Sequence, residues 1–306
     1  MKPSNDYIHA SEVLVSVATY RRPHLLEELL DSLSPEQASA DFEILVVDND
    51  PGCSAREIVE RFDGSAKYAH EPKPGIAAAR NVAVMEARER GIKAIVFVDD
   101  DERVVPGWFS TLLGCMNEHG ADVVLGPVVS LFSDDCPEWI VRGGFIQRPR
   151  PSTGTRLTTA ATNNVLVRMT ALEALTTPRF DDAFSATGGS DAELFWRLNQ
   201  LGAAMIWCDE AVVTEDVPDD RANARWVLRR LVRLGNVSGR LHRRTMPTVQ
   251  VMLLGAGRVA YGLVRTFGAL VLGRGLREQD FAHVPKGVGM VGACLGRVVV
   301  EYKRAA

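Results

Sequence analysis

Cysteine is scarce in this sequence and forms no pattern. The five cysteines are an odd number, and no two of them make a CxxC pair. Scattered single cysteines exclude a disulfide framework, argue against a zinc site and predict a reducing, cytoplasmic environment. The first twelve residues lack the apolar stretch of a signal peptide, so we expect no secretion by that route.

A glycine-rich, lysine-bearing phosphate loop is also absent. The first apolar run, residues 13–18, leads into Thr19-Tyr20-Arg21-Arg22-Pro23 instead. A nucleotidyltransferase would need such a loop after its first strand, so this class of enzyme is disfavoured.

Acidic residues are nearly missing from the last part of the chain. Residues 1–220 carry 19 Lys and Arg against 36 Asp and Glu, whereas residues 221–306 carry 16 against 3. Residues 221–244 alone hold eight arginines and no acid. A basic segment on an acidic body predicts an anionic partner, such as a diphosphate, an anionic acceptor or lipid head groups.

Three apolar runs, residues 13–18, 42–47 and 95–98, each end in polar side chains. Leucines at helical spacing follow the first run, and strand–helix–strand order predicts a parallel sheet. The third run ends in three consecutive aspartates, 99 to 101. Ligands bind beyond the carboxyl ends of such strands, and Mg²⁺ or Mn²⁺ takes carboxylate and phosphate oxygens. A metal-diphosphate site and a solvated acidic turn are both open at this point.

Four motifs occur in order over residues 13–108: TYRRP, VVDND, GIAAARN and FVDDDERVVPGW. Together they resemble the nucleotide-binding half of family 2 glycosyltransferases with the GT-A fold. The resemblance implies a three-layer α/β/α sandwich with a mostly parallel central sheet. It implies a nucleotide-sugar-binding half at residues 1–128 and an acceptor-binding, catalytic half at 129–240. Residues 241–306 then form a helical, basic, amphipathic tail.

The resemblance also suggests residue roles. Thr19 and Arg22 match positions that line the nucleotide pocket, Asp48 one that hydrogen-bonds the base, and Arg80 one that touches the base or the diphosphate. Asp99 matches a position near the ribose. We predict that six residues bind the nucleotide sugar: Thr19, Arg22, Asp48, Arg80, Asp99 and Asp100.

The metal ligand implied by the resemblance is Asp101, which lies past the strand end, where the chain can turn its carboxylate toward a diphosphate. Where the family often has a histidine ligand, this chain has Glu215. Either Glu215 gives the metal an oxygen, or the site depends on Asp101, water and the diphosphate. The expected cofactor is Mg²⁺ or Mn²⁺.

A general base is predicted at Asp191. Ser190 and Glu193 have the spacing of a capping box, which would engage both side chains and leave Asp191 unengaged. Asp191 also matches the Asp of the family's Gly-Glu-Asp motif, although Ser190 replaces the Glu. Inverting sugar transfer needs one positioned carboxylate to take the acceptor proton. The alternative is that Asp191 only complements the helix dipole.

Residues 249–272 are long and mostly apolar but contain Arg258 and Arg265. Two charges make a membrane-spanning helix unfavourable, so we expect a helix lying in the membrane interface with these arginines toward head groups. Residues 284–300 repeat the pattern. The alternative is a packed helical hairpin or a homodimer surface. The expected location is cytoplasmic, peripheral at the inner face of the membrane.

The predicted function is metal-dependent, inverting transfer of a sugar from a nucleotide-diphosphate sugar, with UDP expected, to an acceptor hydroxyl. The expected acceptor is a lipid-linked saccharide in surface polysaccharide synthesis, and no nucleic acid is expected as a partner. The tail is too short for the channel of processive synthases. The alternative is a catalytically inactive nucleotide-sugar-binding or scaffold protein of the same fold.

Overall fold

The structure is a computed structural model that describes residues 7–185, 187–271 and 278–299. The predicted tail segments at 272–277 and 300–306 lie outside these residues. The chain divides into two compact units. Unit 1 comprises residues 1–129, 150–185 and 190–216, and unit 2 comprises residues 130–149, 186–189 and 217–306.

Ten strands are present among the described residues. In chain order they are β1 (Val13–Thr19), β2 (Glu43–Asp48), β3 (Ala66–His70), β4 (Ala94–Asp99), β5 (Glu102–Val104), β6 (Val123–Leu125), β7 (Val128–Leu131), β8 (Val165–Arg168), β9 (Met205–Trp207) and β10 (Val213–Asp216).

The described helices are α1 (Pro23–Ser39), α2 (Arg56–Arg61), α3 (Ile76–Glu89), α4 (Trp108–His119), α5 (Glu138–Gly143), α6 (Met169–Glu173), α7 (Ser190–Gln200), α8 (Ala224–His242), α9 (Thr248–Val271), α10 (Glu278–Phe281) and α11 (His283–Cys294). Helices α5 and α8 to α11 belong to unit 2.

Unit 1 is built on a seven-stranded sheet in the order β3-β2-β1-β4-β8-β6-β9. Strands β1 to β4 are parallel, and β8 runs antiparallel to β4 and β6. Thr19 pairs with Asp48 and Ala18 with Asp99, so the polar residues that end β1, β2 and β4 meet at one sheet edge. Strands β8 and β9, which lie in the predicted acceptor-binding half, complete the same sheet as β1, and the predicted functional halves stay a prediction.

Helices cover both faces of this sheet because its central strands are apolar on both sides. On one face, alternate residues of β1 pack with leucines of α1 and with Trp108 and Phe109 of α4. On the other face, Leu14, Leu45 and Phe97 pack with the alanines of α3 and with α7. This arrangement is the predicted three-layer α/β/α sandwich. Strands β5 and β10 form a separate antiparallel pair at which Glu102 lies opposite Glu215.

In unit 2, helices α8, α9 and α11 contact each other through glycines. A Cβ on Gly289 of α11 would lie 2.0 Å from the backbone oxygen of Val232 in α8, and one on Gly235 would lie 1.9 Å from that of Lys286. Only residues without a side chain allow two helix backbones to approach this closely. The helices of unit 2 are therefore locked by close backbone contacts.

Helix α9 leaves an apolar face uncovered. The α9 stripe, as we call this row of exposed residues three or four apart, consists of Val249, Leu253, Ala256, Ala260, Val264, Phe267 and Val271. Its five larger side chains are 66–71% exposed. The predicted direction of Arg258 and Arg265 toward head groups stays a prediction. Arg258 is half-buried with Nη1 3.9 Å from Met290 Sδ, and Arg265 is ion-paired with Asp280. In the described part of the chain, no helix is long and apolar enough to cross a membrane.

Candidate functional site

Asp100 lies at the end of β4 in a buried hydrogen-bonded position. Thr19 Oγ1 donates to Asp100 Oδ2 at 2.8 Å, and Arg22 Nη1 lies 3.2 Å from Asp100 Oδ1. Burial raises the pKa of Asp100 to about 6, and the Arg22 guanidinium opposes this rise. Three of the predicted nucleotide-binding residues thus form one connected group.

Asp101 is bound to the same arginine. Arg22 Nη1 donates to Asp101 Oδ2 at 3.0 Å, and the Asp101 side chain is one-fifth exposed. Arg22 directly precedes the first residue of α1 and is about two-fifths exposed. A single guanidinium therefore bridges two neighbouring carboxylates at the sheet edge.

Arg80 connects α3 to Asp99. Its Nη2 donates to Asp99 Oδ1 at 2.9 Å, while its own side chain is 9% exposed. Burial raises the pKa of Asp99, Arg80 opposes that rise, and the charges of Asp101 and Asp191 add to it. The charge of Asp191, in the first turn of α7, thus acts on Asp99. The structure joins the predicted nucleotide-binding residues Arg80 and Asp99 in one ion pair, and the predicted role of Asp191 as the general base stays a prediction.

Glu102, which is not one of the predicted site residues, is buried and directly follows the three aspartates 99 to 101. Its Oε2 accepts the Asp99 N–H at 2.9 Å, and its Oε1 has no hydrogen-bond partner among the described residues. Burial and then repulsion by Asp99, Asp101 and Glu215 raise the pKa of Glu102 well above its ordinary value. The available signal was a fourth consecutive acid after the three aspartates.

Asp48 ends β2 and is fully buried. Its Oδ1 accepts the Asp50 N–H at 2.9 Å, and its Oδ2 accepts the Ala55 N–H at 2.9 Å and the Tyr68 hydroxyl at 3.2 Å. These bonds hold the loop that follows β2. The predicted hydrogen bond between Asp48 and the nucleobase of the donor stays a prediction.

Helix α7 begins at Ser190, and the Glu193 carboxylate accepts hydrogen bonds from Arg197, with Nε–Oε1 and Nη2–Oε2 distances of 2.9 Å. The capping box predicted for Ser190 and Glu193 stays a prediction. Arg197 lies one turn further along α7, so the pair is an i,i+4 ion pair. Asp191, which follows Ser190 in the sequence, is half-buried.

Within the described residues, no three or more His, Cys, Asp or Glu side chains are arranged to hold a metal ion on their own. Asp101 and Glu215 remain the predicted ligands. They offer hard oxygens, and Glu102 Oε1 nearby in the sequence is buried without a hydrogen-bond partner among the described residues. Such a donor set fits Mg²⁺ or Mn²⁺ only where a diphosphate supplies further oxygens.

The arrangement combines two chemical capabilities at one sheet edge. Arg22 and Arg80 are guanidinium groups of the kind that bind diphosphate with paired hydrogen bonds. Asp191 is a partly exposed carboxylate that can accept a proton. Anion binding next to a base is what a group transfer from a diphosphate to a hydroxyl requires.

Comparison with known proteins agrees with this geometry. Residues 14–176, just over half of the chain, match the model of glycosyl transferase family 2. The succinoglycan biosynthesis protein ExoM of Rhizobium meliloti is 32% identical over 244 residues, which cover 78% of this chain and 76% of that protein.

Two structures of S. aureus TarS 1-349 share the fold, one in complex with UDP (TM-score 0.53) and one in complex with UDP-GlcNAc (TM-score 0.50). Each is 17% identical and covers 93% of this chain and 92% of that one. The predicted GT-A fold is thereby confirmed. By the family match and the ExoM relative, the chain belongs to glycosyl transferase family 2.

Proposed function

We propose that this protein transfers a sugar from a nucleotide-diphosphate sugar to an acceptor hydroxyl with inversion at the anomeric carbon. The observation that supports the proposal is the geometry of the sheet edge, where Arg22 bridges Asp100 and Asp101 and Arg80 pairs with Asp99. Asp191, whose charge acts on Asp99, is the proposed base. UDP is the proposed nucleotide, because the TarS structures of the same fold hold UDP and UDP-GlcNAc.

In this reaction Asp191 accepts the proton of the acceptor hydroxyl. The acceptor oxygen forms a bond to the anomeric carbon while the bond from that carbon to the diphosphate oxygen breaks, and the nucleoside diphosphate leaves with the electron pair. Arg80 and Arg22 bind the diphosphate and stabilise its growing negative charge. Asp101, with Glu215 as a second oxygen, would hold Mg²⁺ or Mn²⁺, which neutralises the leaving diphosphate when bound.

The test measures turnover and UDP binding separately. Asp191→Asn should lower turnover by about 10²–10⁴-fold and leave UDP affinity unchanged, because a general base contributes only to the chemical step. Asp101→Asn should weaken UDP binding in Mn²⁺ as measured by isothermal titration, since it removes a charged ligand while keeping its shape. Asp31→Asn, an exposed change of equal charge on α1, is the control.

An inactive nucleotide-sugar-binding protein would give a different result. It would bind UDP-sugar, and neither donor hydrolysis nor transfer would change in Asp191→Asn. Unchanged turnover in this variant would refute the catalytic assignment.

We propose in addition that the acceptor is a lipid-linked saccharide of surface polysaccharide synthesis and that unit 2 binds an anionic membrane surface. ExoM is a biosynthesis protein for a polysaccharide, which supports the acceptor class. The α9 stripe supports the surface, since exposed apolar patches of this extent mark interaction sites. Helix α9 has 24 residues and is therefore about 36 Å long, so the α9 stripe extends along about this length.

Charge favours a lipid surface over a second copy of the chain as the occupant of the stripe. Residues 221–306 carry 16 basic residues against 3 acidic ones, so two copies of this segment repel each other whereas anionic head groups attract it. The apolar side chains enter the boundary of the acyl chains, and nearby exposed arginines such as Arg243 and Arg244 meet the head groups.

Vesicle co-sedimentation tests the surface. The double variant Leu253→Glu, Phe267→Glu should reduce binding to vesicles containing phosphatidylglycerol at least tenfold, because it places two charges in the α9 stripe. Gln250→Glu adds a charge to an exposed position of α9 outside the stripe and should bind nearly as the wild type does. Wild-type protein that stays in the supernatant, or a dimer that the double variant converts to monomer in light scattering, would overturn the membrane assignment.

A further inference from the structure

One short segment of unit 1, residues 177–180, is held from two sides by side chains. On one side, Asn81 of α3 donates from Nδ2 to the Phe180 oxygen at 3.1 Å and accepts the Phe180 N–H at Oδ1 at 2.8 Å. This amide therefore pairs with the backbone as a strand neighbour would. We call this pair of bonds the Asn81 clasp.

On the other side, Arg197 of α7 holds the same segment. Its Nη1 donates to the Thr177 oxygen and its Nη2 to the Arg179 oxygen, both at 2.6 Å. The guanidinium is fixed in turn by the carboxylate of Glu193, which is 1% exposed. A planar fork with five N–H donors suits this combination of carboxylate and carbonyls, and a lysine would not.

The two holding residues lie on the same helices as the functional ones. Asn81 directly follows Arg80, which pairs with Asp99. Arg197 lies in α7 with Asp191 and is bound to Glu193, two positions after Asp191. Phe180 itself is fully buried, with its ring at 5.5 Å from Phe97 of β4 and 5.9 Å from the Arg80 guanidinium. The segment thus connects the helix that carries the donor-binding arginine to the helix that carries the base.

We infer that Asn81 and Arg197 are positioning residues that set the place of Asp191 relative to the donor. The inference rests on the proposed function. Neither side chain needs to touch a substrate, because each acts by fixing the segment between α3 and α7. Displacement of a reacting group by about 1 Å from its attack geometry can lower a rate about 100-fold.

The chain contains a matched control for the Asn81 clasp. Asn117 of α4 makes the same pair of bonds with Ile8, donating from Nδ2 to the Ile8 oxygen at 2.9 Å and accepting the Ile8 N–H at 3.0 Å. Ile8 lies before β1, at the opposite end of that strand from Thr19 and the sheet edge that carries the site. Asn81→Ala and Asn117→Ala therefore delete equal bonding, and only the first deletes it between α3 and the segment before α7.

The experiment compares kcat, UDP affinity and melting temperature in the two variants. We expect Asn81→Ala to lower kcat for transfer at least tenfold with a UDP Kd within twofold of wild type. Asn117→Ala should lower the melting temperature by a similar amount and leave kcat within twofold. If Asn81→Ala does not fold, Asn81→Asp keeps the acceptor for the Phe180 N–H and should show an intermediate loss of kcat.

Two results would overturn the inference. Equal kcat values in Asn81→Ala and Asn117→Ala would mean that the clasp only stabilises the fold. A parallel loss of UDP affinity and kcat would mean that it supports the donor pocket through Arg80. Both are distinguishable from failure of the proposed function, in which Asp191→Asn itself would leave turnover unchanged.

Discussion

Helix α3 of unit 1 and helix α9 of unit 2 differ in which of their apolar residues are buried. Helix α3 is rich in alanine, and these alanines are buried against the central sheet. Helix α9 is rich in valine, leucine and glycine. Its buried positions include Val251, Gly255 and Gly262, whereas larger apolar residues such as Leu253 and Phe267 are exposed.

The two units differ in whether the larger apolar side chains of their helices are covered by other residues of the chain. Unit 1 places its apolar residues inside and gathers buried carboxylates at one sheet edge, where chemistry needs fixed charge. Unit 2 keeps its helices together through close backbone contacts and leaves larger side chains exposed. Substitutions in each unit test this contrast.

The largest loss of stability is expected when a side chain is added at a glycine through which two helices of unit 2 are in contact. Gly289→Ala would place a Cβ 2.0 Å from the Val232 oxygen and 2.8 Å from the Asn236 nitrogen. Because backbone atoms cannot yield as a side chain would, we expect a loss of about 3 kcal/mol or more in the free energy of unfolding of unit 2. Chemical denaturation followed by tryptophan fluorescence and circular dichroism measures it.

Gly257→Ala is the matched control. Gly257 lies in α9, and no neighbouring atom among the described residues lies within 4 Å of the place that a Cβ would take. Alanine should therefore add up to about 1 kcal/mol through its higher helix propensity. UDP binding should persist in Gly289→Ala if unit 1 keeps its own core. Equal effects of the two substitutions would show that the helices are not in close backbone contact.

A smaller effect, with a pH dependence, is expected in unit 1. The pKa of Asp100 is raised to about 6 by burial, so the folded state holds this proton more tightly than the unfolded state does. Stability therefore falls as the pH rises from about 4 to about 6, by at most about 3 kcal/mol. Asp100→Asn should remove this fall and be more stable relative to wild type at pH 7 than at pH 4.

Thermal unfolding across this pH range, with chelator present, measures the difference. Asp31→Asn changes the net charge equally at an exposed position and corrects for charge alone. A constant stability difference between Asp100→Asn and wild type from pH 4 to pH 7 would contradict the prediction. It would mean that Arg22 and Thr19 fully offset the cost of burying this carboxylate.

The same contrast explains what could be predicted from the sequence. Periodicity and the polar strand ends predicted the parallel strands and the polar edge of the sheet, which the register of β1, β2 and β4 confirms. The roles of Thr19, Asp99 and Asp191 were suggested by the family resemblance and stay predictions. Contacts between distant parts of the chain have no local pattern. Asn164, for example, is fully buried with φ of +60° and bonds Trp108, Pro127 and Ala211, which no periodicity indicates.

Two side-chain contacts could not be predicted from the sequence, for physical reasons. The Glu193 carboxylate pairs with Arg197 one turn further along α7, because a buried charge needs an opposite charge. Arg258 lies against Met290 of α11, and the approach of α9 to α11 depends on Gly287, which is distant in the sequence.

The smallest effect concerns the start of α8, the arginine-rich helix of unit 2. The Asn223 side chain accepts the Trp226 N–H at 3.0 Å and so caps the helix. Asn223→Ala should cost about 1 kcal/mol, a typical value for loss of a capping side chain. Asn223→Asp keeps the acceptor and adds a negative charge at the positive end of the helix dipole, close to Arg225, so it should be more stable than wild type by about 0.3–1 kcal/mol.

Urea denaturation of the three proteins at low and high salt measures both changes. The gain in Asn223→Asp should shrink in high salt and the loss in Asn223→Ala should not, because only the former is a charge effect. An Asp variant less stable than wild type at low salt would show that the basic residues of unit 2 do not raise the local potential as their number predicts.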